Sequence, residues 1–272
     1  MKYLISRRLT QVSIIALYMA AHVWGVKILE GNLSSSLLFG TVPLSDPFAV
    51  AQMFVAGSII TMDILLGALI IIVFYAVIGG RMFCSWVCPI NIVTDAANWL
   101  RRKLGIANIQ KRVYMSRNIR FWVLGLSMLL SFLMGMTAFE LISPISILHR
   151  GLIFGMGFGL SAIAVIFFFD LLVHENGWCG YICPLGGFYS LIGKFSLLRV
   201  RHNVDNCTDC MRCKEVCPEK EVLHMVSKFS ETVRMGACTN CARCIEVCDD
   251  DALNFSIRNF IDKTGVRNEI NK

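Results

Sequence analysis

Apolar positions along roughly the first 175 residues come in long, almost uncharged stretches, whereas residues 200–272 carry the polar and apolar mixture of an ordinary soluble domain. A helix needs about 20 consecutive apolar residues to cross the hydrocarbon core of a bilayer. Stretches at about 12–29, 58–78, 121–139 and 152–173 meet that length. The pattern predicts a membrane all-α, four-transmembrane-helix bundle over residues 1–199, followed by a small α+β domain at 200–272.

Shorter signals fall between these stretches. Asp46-Pro47 reads as a helix N-cap with proline at the first helical position, which predicts a short helix over Phe48–Ala56 on the outer membrane surface. Phe188, Leu191, Ile192, Phe195 and Leu198 follow helical spacing and predict an amphipathic helix on the inner surface. Residues 101–120 are basic without an acidic residue, which suits anionic lipid rather than nucleic acid.

Charge then orients the bundle. Lys2, Arg7, Arg8, Arg81, Arg101, Arg102, Lys103, Lys111, Arg112, Arg117, Arg120, Lys194 and Arg199 fall on one side of the predicted spans, against Lys27 and Arg150 on the other. The positive-inside rule places both termini in the cytoplasm of a bacterial inner membrane protein. Ser6-Arg7-Arg8-Leu9 looks like a twin-arginine export signal, but no convincing cleavage site follows it. Composition agrees with the uneven pattern. Only 17% of residues are charged, against about 25% in soluble domains.

All 12 cysteines fall in short motifs. Regular spacing of that kind points to metal ligands or redox thiols rather than disulfides. Cys84-Ser85-Trp86-Val87-Cys88-Pro89 and Cys179-Gly180-Tyr181-Ile182-Cys183-Pro184 form an internal repeat. Spacing i, i+4 would put each pair on one helical face. Brought together, Cys84, Cys88, Cys179 and Cys183 would make a thiolate site for an additional cluster, a metal or a redox dithiol. Structural packing is the alternative.

The C-terminal signal is more specific. Cys207-x2-Cys210-x2-Cys213-x3-Cys217-Pro218 is the bacterial ferredoxin run, and Cys238, Cys241, Cys244 and Cys248 repeat it. In such domains the fourth cysteine of each run ligates the other cluster. The spacing therefore predicts two [4Fe–4S] clusters, one on Cys207, Cys210, Cys213 and Cys248, the other on Cys238, Cys241, Cys244 and Cys217. Zinc does not explain this spacing twice over. The second run ends Cys248-Asp249-Asp250-Asp251, without proline, and those carboxylates should lower the potential of the nearest cluster.

The order of spans, paired C-x-x-x-C-P motifs and ferredoxin runs resembles the NapH family of ferredoxin-type quinol dehydrogenase components. Local strings carry the resemblance further: Trp24 to Leu29 with Ser34-Ser35-Ser36, Pro43 to Pro47, and Cys84 to Arg102. The resemblance implies electron flow from quinol in the membrane, with a periplasmic ferredoxin-type partner called NapG, towards periplasmic nitrate reductase. It places the quinone pool and membrane lipid among the partners, and no nucleic acid. Ionisable residues within spans are functional suspects. His22 and Asp63 are the expected quinol-site pair, with Lys27, Glu140, His149 and Arg150 at the same edge. Other readings are a membrane ferredoxin for metallocentre assembly, such as a copper reductase, or a non-catalytic anchor and relay.

Overall fold

The computed structural model describes residues 2–25, 28–105, 115–154 and 159–258. Lys27, Lys111, Arg112 and the end of the predicted ferredoxin domain, 259–272, lie outside the described residues. In chain order the elements are α1 (Lys2–Trp24), β1 (Leu29–Gly31), β2 (Ser35–Leu38), β3 (Val42–Ser45), α2 (Pro47–Val55), α3 (Met62–Ile78), α4 (Met82–Trp86), α5 (Ile90–Lys103), α6 (Ile119–Met134), α7 (Ala138–Ile142), α8 (Pro144–Phe154), α9 (Gly159–Phe168), α10 (Pro184–Gly193), β4 (Leu198–His202), α11 (Arg212–Glu215), β5 (Glu231–Thr232), α12 (Arg243–Glu246) and β6 (Leu253–Ile257). Two π-helical segments, Phe169–Val173 and Trp178–Ile182, lie between α9 and α10.

The four-span bundle predicted from hydropathy is not what the chain forms. Among the described residues no helix is long and apolar enough to cross a membrane. The apolar stretches are cut short by local backbone. α3 starts at Met62 rather than near 58 and has 17 residues, about 26 Å at 1.5 Å per residue. α6 has 16 residues and stops at Gly135, whose φ of 64° is left-handed. The described part of α9, Gly159–Phe168, gives way to the Phe169–Val173 π segment. α1 is longer, at 23 residues, but its first third carries Lys2, Arg7 and Arg8.

The described chain divides into two compact units. The larger, Arg8–Phe74 with Val87–Phe188, is helical apart from the antiparallel sheet β1-β2-β3. That sheet pairs Leu29 with Leu38 and Ser35 with Ser45. Its strands are too short to show a period in the sequence. Left-handed backbone at Phe39 and Gly40 turns β2 into β3.

Asp46 caps α2 as predicted, accepting from Phe48 N, with Pro47 in the first turn. The expected position of this helix on an outer surface is corrected, because Phe48 and Gln52 are buried. Gln52 Oε1 accepts from Ser131 Oγ and from Phe139 N, both at 3.0 Å, so the helix is latched to α6 and α7 by polar groups. In the basic stretch Arg102 and Lys103 are exposed as expected, but two positions are corrected. Arg101 and Arg120 are buried rather than facing lipid. Arg101 Nη1 donates to the carbonyls of Asp170 and Leu171 at 3.2 and 3.0 Å. Apolar side chains are nonetheless left outside: Leu65, Leu69 and Val73 of α3 and Leu126, Leu129 and Leu133 of α6 are all more than half exposed.

The smaller unit gathers Met1–Arg7, Tyr75–Trp86 and Tyr189–Lys272. Its sheet has the order β5-β4-β6, antiparallel throughout, with Arg201 opposite Thr232 and Val200 opposite Phe255. Val200, Val222, Leu223, Met225, Val226, Val233 and Leu253 form its core. The predicted amphipathic helix ends early: α10 stops at Gly193, and Leu198 and Arg199 belong to β4 instead. The reason is a close backbone approach. A Cβ on Gly236 would lie 2.0 Å from the Ser190 carbonyl oxygen and 2.9 Å from Lys194 N. The start of α1 also docks here, where the Glu246 carboxylate accepts from Tyr3 N at 2.6 Å and Leu4 N at 3.3 Å. A carboxylate at that end satisfies orphan N–H groups and the positive end of the helix dipole.

Candidate metal centre

The two ferredoxin runs fold alike, residue for residue. Asp209 and Met211 in the first run have φ of 59°, and the matching Asn240 and Ala242 in the second have φ of 47° and 60°. Alternate left-handed residues curl a short loop so that successive backbone N–H groups point inward, an anion-binding geometry. The third cysteine of each run then enters a one-turn helix, Cys213 in α11 and Cys244 in α12. The side chains after the first cysteines repeat as well. Cys207 Sγ donates to Asp209 Oδ1 at 3.6 Å, and Cys238 Sγ donates to Asn240 Oδ1 at 3.4 Å.

The runs do not each close on themselves. One cavity, with about 350 Å³ of empty space partly open to solvent, is lined by Cys238, Cys241 and Cys244 of the second run and by Cys217 of the first. Val200, Val222 and Leu223 make its apolar wall. Burial pushes the Cys217 thiol well up, and Cys241 and Cys238 push it further. Cys244 is raised by burial and then by Cys241, Cys238 and Cys217. On the other side, burial raises Cys213, which also feels Cys248, Cys207 and Cys210. Thiols crowded and buried in this way resist ionisation unless a cation joins them.

An iron–sulfur cluster fits that donor set. Among the described residues no group of three or more His, Cys, Asp or Glu is spaced for a single metal ion. A cluster asks for something different, since each cysteine binds its own iron corner. A zinc ion would need its thiolates all within about 2.3 Å of one point.

The C-x-x-x-C-P cysteines do not form the helical pairs expected from spacing. Cys84 lies in α4, which ends at Trp86, so Cys88 falls in the turn before α5. Cys179 lies in the Trp178–Ile182 π segment, and Cys183, with φ −64° and ψ 113°, is already extended. Cys84 belongs to the smaller unit and Cys88, Cys179 and Cys183 to the larger. In each unit the flanking residues are tied down. Ser85 Oγ donates to the Thr239 carbonyl at 2.7 Å, and Trp86 Nε1 donates to the Asn240 carbonyl at 3.1 Å, so the α4 segment is tied to the second ferredoxin loop. In the larger unit Gln11 Nε2 donates to the Cys88 carbonyl at 3.1 Å.

His22 lies in the last turn of α1 and Asp63 in the first turn of α3, where it is exposed. The charge that His22 faces is His149, whose pKa is lowered by burial and then by His22. Tyr18 packs edge-on against His149, with ring centroids 5.3 Å apart, and its pKa is raised by burial. Tyr18 escaped the sequence reading, although it precedes His22 by one helical turn. Glu140 accepts from Ser34 Oγ and Ser146 Oγ. Lys27 lies outside the described residues, and Arg150 is exposed within α8.

Comparison with known proteins agrees with the loops. Residues 60–107 and 154–202 match the family described as a 4Fe-4S binding domain, and residues 199–249 match a 4Fe-4S dicluster domain. The methylamine utilization ferredoxin-type protein MauN of Methylorubrum extorquens is 47% identical, over 80% of this chain and 75% of its own. The ferredoxin-type protein NapH of Haemophilus influenzae is 46% identical, over 82% and 77%. NapH of Escherichia coli is 43% identical, again over 82% and 77%. No solved structure matches. Its 4Fe-4S domains give the protein an electron-transfer role, and the chain belongs to the NapH and MauN family of ferredoxin-type proteins.

Proposed function

We propose that this protein relays electrons through two [4Fe–4S] clusters, with quinol as the donor. The observation that carries the reading is the cavity in which Cys217 of the first run meets Cys238, Cys241 and Cys244 of the second. Bound clusters supply one-electron acceptors there, and the cysteines hold them while the apolar wall limits water. Cys207, Cys210, Cys213 and Cys248 would hold the other cluster. α11 carries Cys213 of the first set and α12 carries Cys244 of the second.

Quinol oxidation releases two electrons and two protons, so a proton acceptor must stand beside the donor. His149 suits this better than the pair His22 and Asp63. Burial and His22 lower its pKa, which favours the neutral ring, and among the described residues its Nε2 has no hydrogen-bond partner. A neutral imidazole with a free ring nitrogen accepts a proton. The exposed apolar side chains of α3 and α6 support contact with the lipid phase where a quinone resides.

The electron destination divides the relatives. Those named NapH support a NapG-like partner and periplasmic nitrate reductase. Those named for methylamine utilization are as similar to this chain and support a place in methylamine utilization instead.

The test is direct. The full chain is purified without oxygen, a quinol is added, and cluster absorbance and EPR are followed. Reduction is expected, and slower reduction in His149→Ala. Clusters that dithionite reduces but no quinol does, even with a NapG-type partner added, would remove the quinol assignment. Reduction of Cu(II) in preference to any quinone-linked reaction would favour the metallocentre-assembly reading.

A further inference from the structure

Two buried arginines flank the second cysteine set. Arg81 is 1% exposed, and its Nη1 donates to the Ala237 carbonyl at 2.9 Å, immediately before Cys238. Its charge is answered by Glu219, itself 2% exposed, which also lines the cysteine cavity. Arg199, on β4, is 0% exposed. Its Nη1 donates to the Met235 carbonyl at 3.2 Å, two residues before Ala237 in the same segment. Among the described residues its Nε and Nη2 reach no oxygen or nitrogen acceptor, and the side chain that acts on it as a hydrogen-bond partner is the Cys238 thiol. The charges it faces are Cys238 and, less favourably, Arg258.

A buried guanidinium without a carboxylate and with idle donors is costly. Folds keep such a group when something absent from the bare chain answers it. A cluster held by four thiolates is an anion, and Cys238 is one of its ligands. The cation within the first run is of a different kind. Arg212 is exposed and already paired with Asp249 at 2.8 Å, and Asp250 accepts from Thr208 Oγ1 at 2.6 Å. Its surroundings are wet and acidic.

We infer that Arg199 is the counter-cation of the second cluster, with its idle N–H donors directed to Cys238 Sγ and the cluster sulfur, and that it raises that cluster's reduction potential. The inference rests on the two-cluster reading proposed above. Reduction adds one negative charge to the cluster, and a buried cation favours the more negative state. Hydrogen bonds to cluster sulfur act in the same direction. The effect is selective, because solvent and the Asp249–Asp251 carboxylates surround the first cluster.

The experiment is a redox titration of the anaerobically purified full chain, followed by EPR, with iron determined on each sample. Cys217→Ser identifies the second cluster's signal. Arg199→Gln, which keeps a donor but loses the charge, should retain iron and shift the second potential downward while the first stays in place. Arg199→Lys should restore most of the shift. An unchanged second potential in an iron-replete Arg199→Gln protein overturns the inference. If the neutral variants shed iron, ENDOR of the wild-type protein in H2O and D2O decides instead. Exchangeable-proton couplings at the second cluster support the assignment, and their absence overturns it. A wild-type protein without cubane iron would sink the cluster reading itself, which the iron assay detects separately.

Discussion

Arg81 and Glu219 form a fully buried ion pair between the segment that follows α3 and the turn that follows the first ferredoxin run. Arg81 spends the same nitrogen on the Ala237 carbonyl. Removing one partner of such a pair leaves a bare charge in the interior. Arg81→Met or Glu219→Gln should each destabilise the protein by about 3–5 kcal/mol. Denaturant midpoints of single and double variants check this, and Arg81→Met with Glu219→Leu should cost far less than the sum.

Asp170 is buried, and its Oδ1 accepts from Trp178 N at 2.9 Å while its Oδ2 has no partner among the described residues. Burial pushes its carboxyl up to about 7, against the opposing pull of the Trp178 and Gly177 N–H groups and of Arg101. In the unfolded chain it ionises near 3.8. Its contribution is therefore fully present below about pH 4 and is lost as pH rises towards 7, by up to a few kcal/mol. Asp170→Asn should flatten stability between pH 4 and 7. Urea midpoints at pH 4.5 and 7.5 measure the slope, and an Asn variant with the wild-type slope contradicts the assignment.

Asn98 and Asn176 bond reciprocally. Asn98 Nδ2 donates to Asn176 Oδ1 at 2.8 Å, and Asn176 N donates to Asn98 Oδ1 at 3.3 Å. Asn176 sits at φ 54° just before the Trp178–Ile182 π segment. Asn98→Ala leaves the buried N–H and the Oδ1 acceptor of Asn176 unanswered and should cost about 1–3 kcal/mol. Hydrogen exchange should show the loss concentrated at residues 174–183.

Cross-ligation makes a counterintuitive prediction. Cys217 belongs to the first run, yet Cys217→Ser should remove the EPR signal of the cluster held mainly by the second. Cys248→Ser should remove the other. Each variant should lose about half of the iron. If both substitutions erase the same signal, the ligand pairing is wrong.

How much of this was legible in the sequence depends on how local the determinants are. The Asp46-Pro47 helix start was legible, because a cap and a proline act on their own neighbours. The fate of that helix was not: Phe48 and Gln52 are buried through α6 and α7, residues far along the chain. The same failure made Arg101 and Arg120 look like a surface patch. Charge says that a residue needs partners, but not whether water or backbone carbonyls supply them. Hydropathy misled most at the apolar stretches, where a sum over composition cannot see that Gly135 turns left-handed or that α3 begins only at Met62.

The sequence by itself determined the ferredoxin loops. Their cysteine spacing is a covalent constraint, and both copies take up the same left-handed turns at Asp209 and Met211 and at Asn240 and Ala242. Only the tertiary structure decided what surrounds them. It set Arg81 against Glu219 and left Arg199 buried with idle donors, whereas the place of Cys217 beside the second run was already predicted by the spacing. Such partners are remote in sequence. Their pairing is fixed by burial and the cost of an unanswered charge, which no local pattern records.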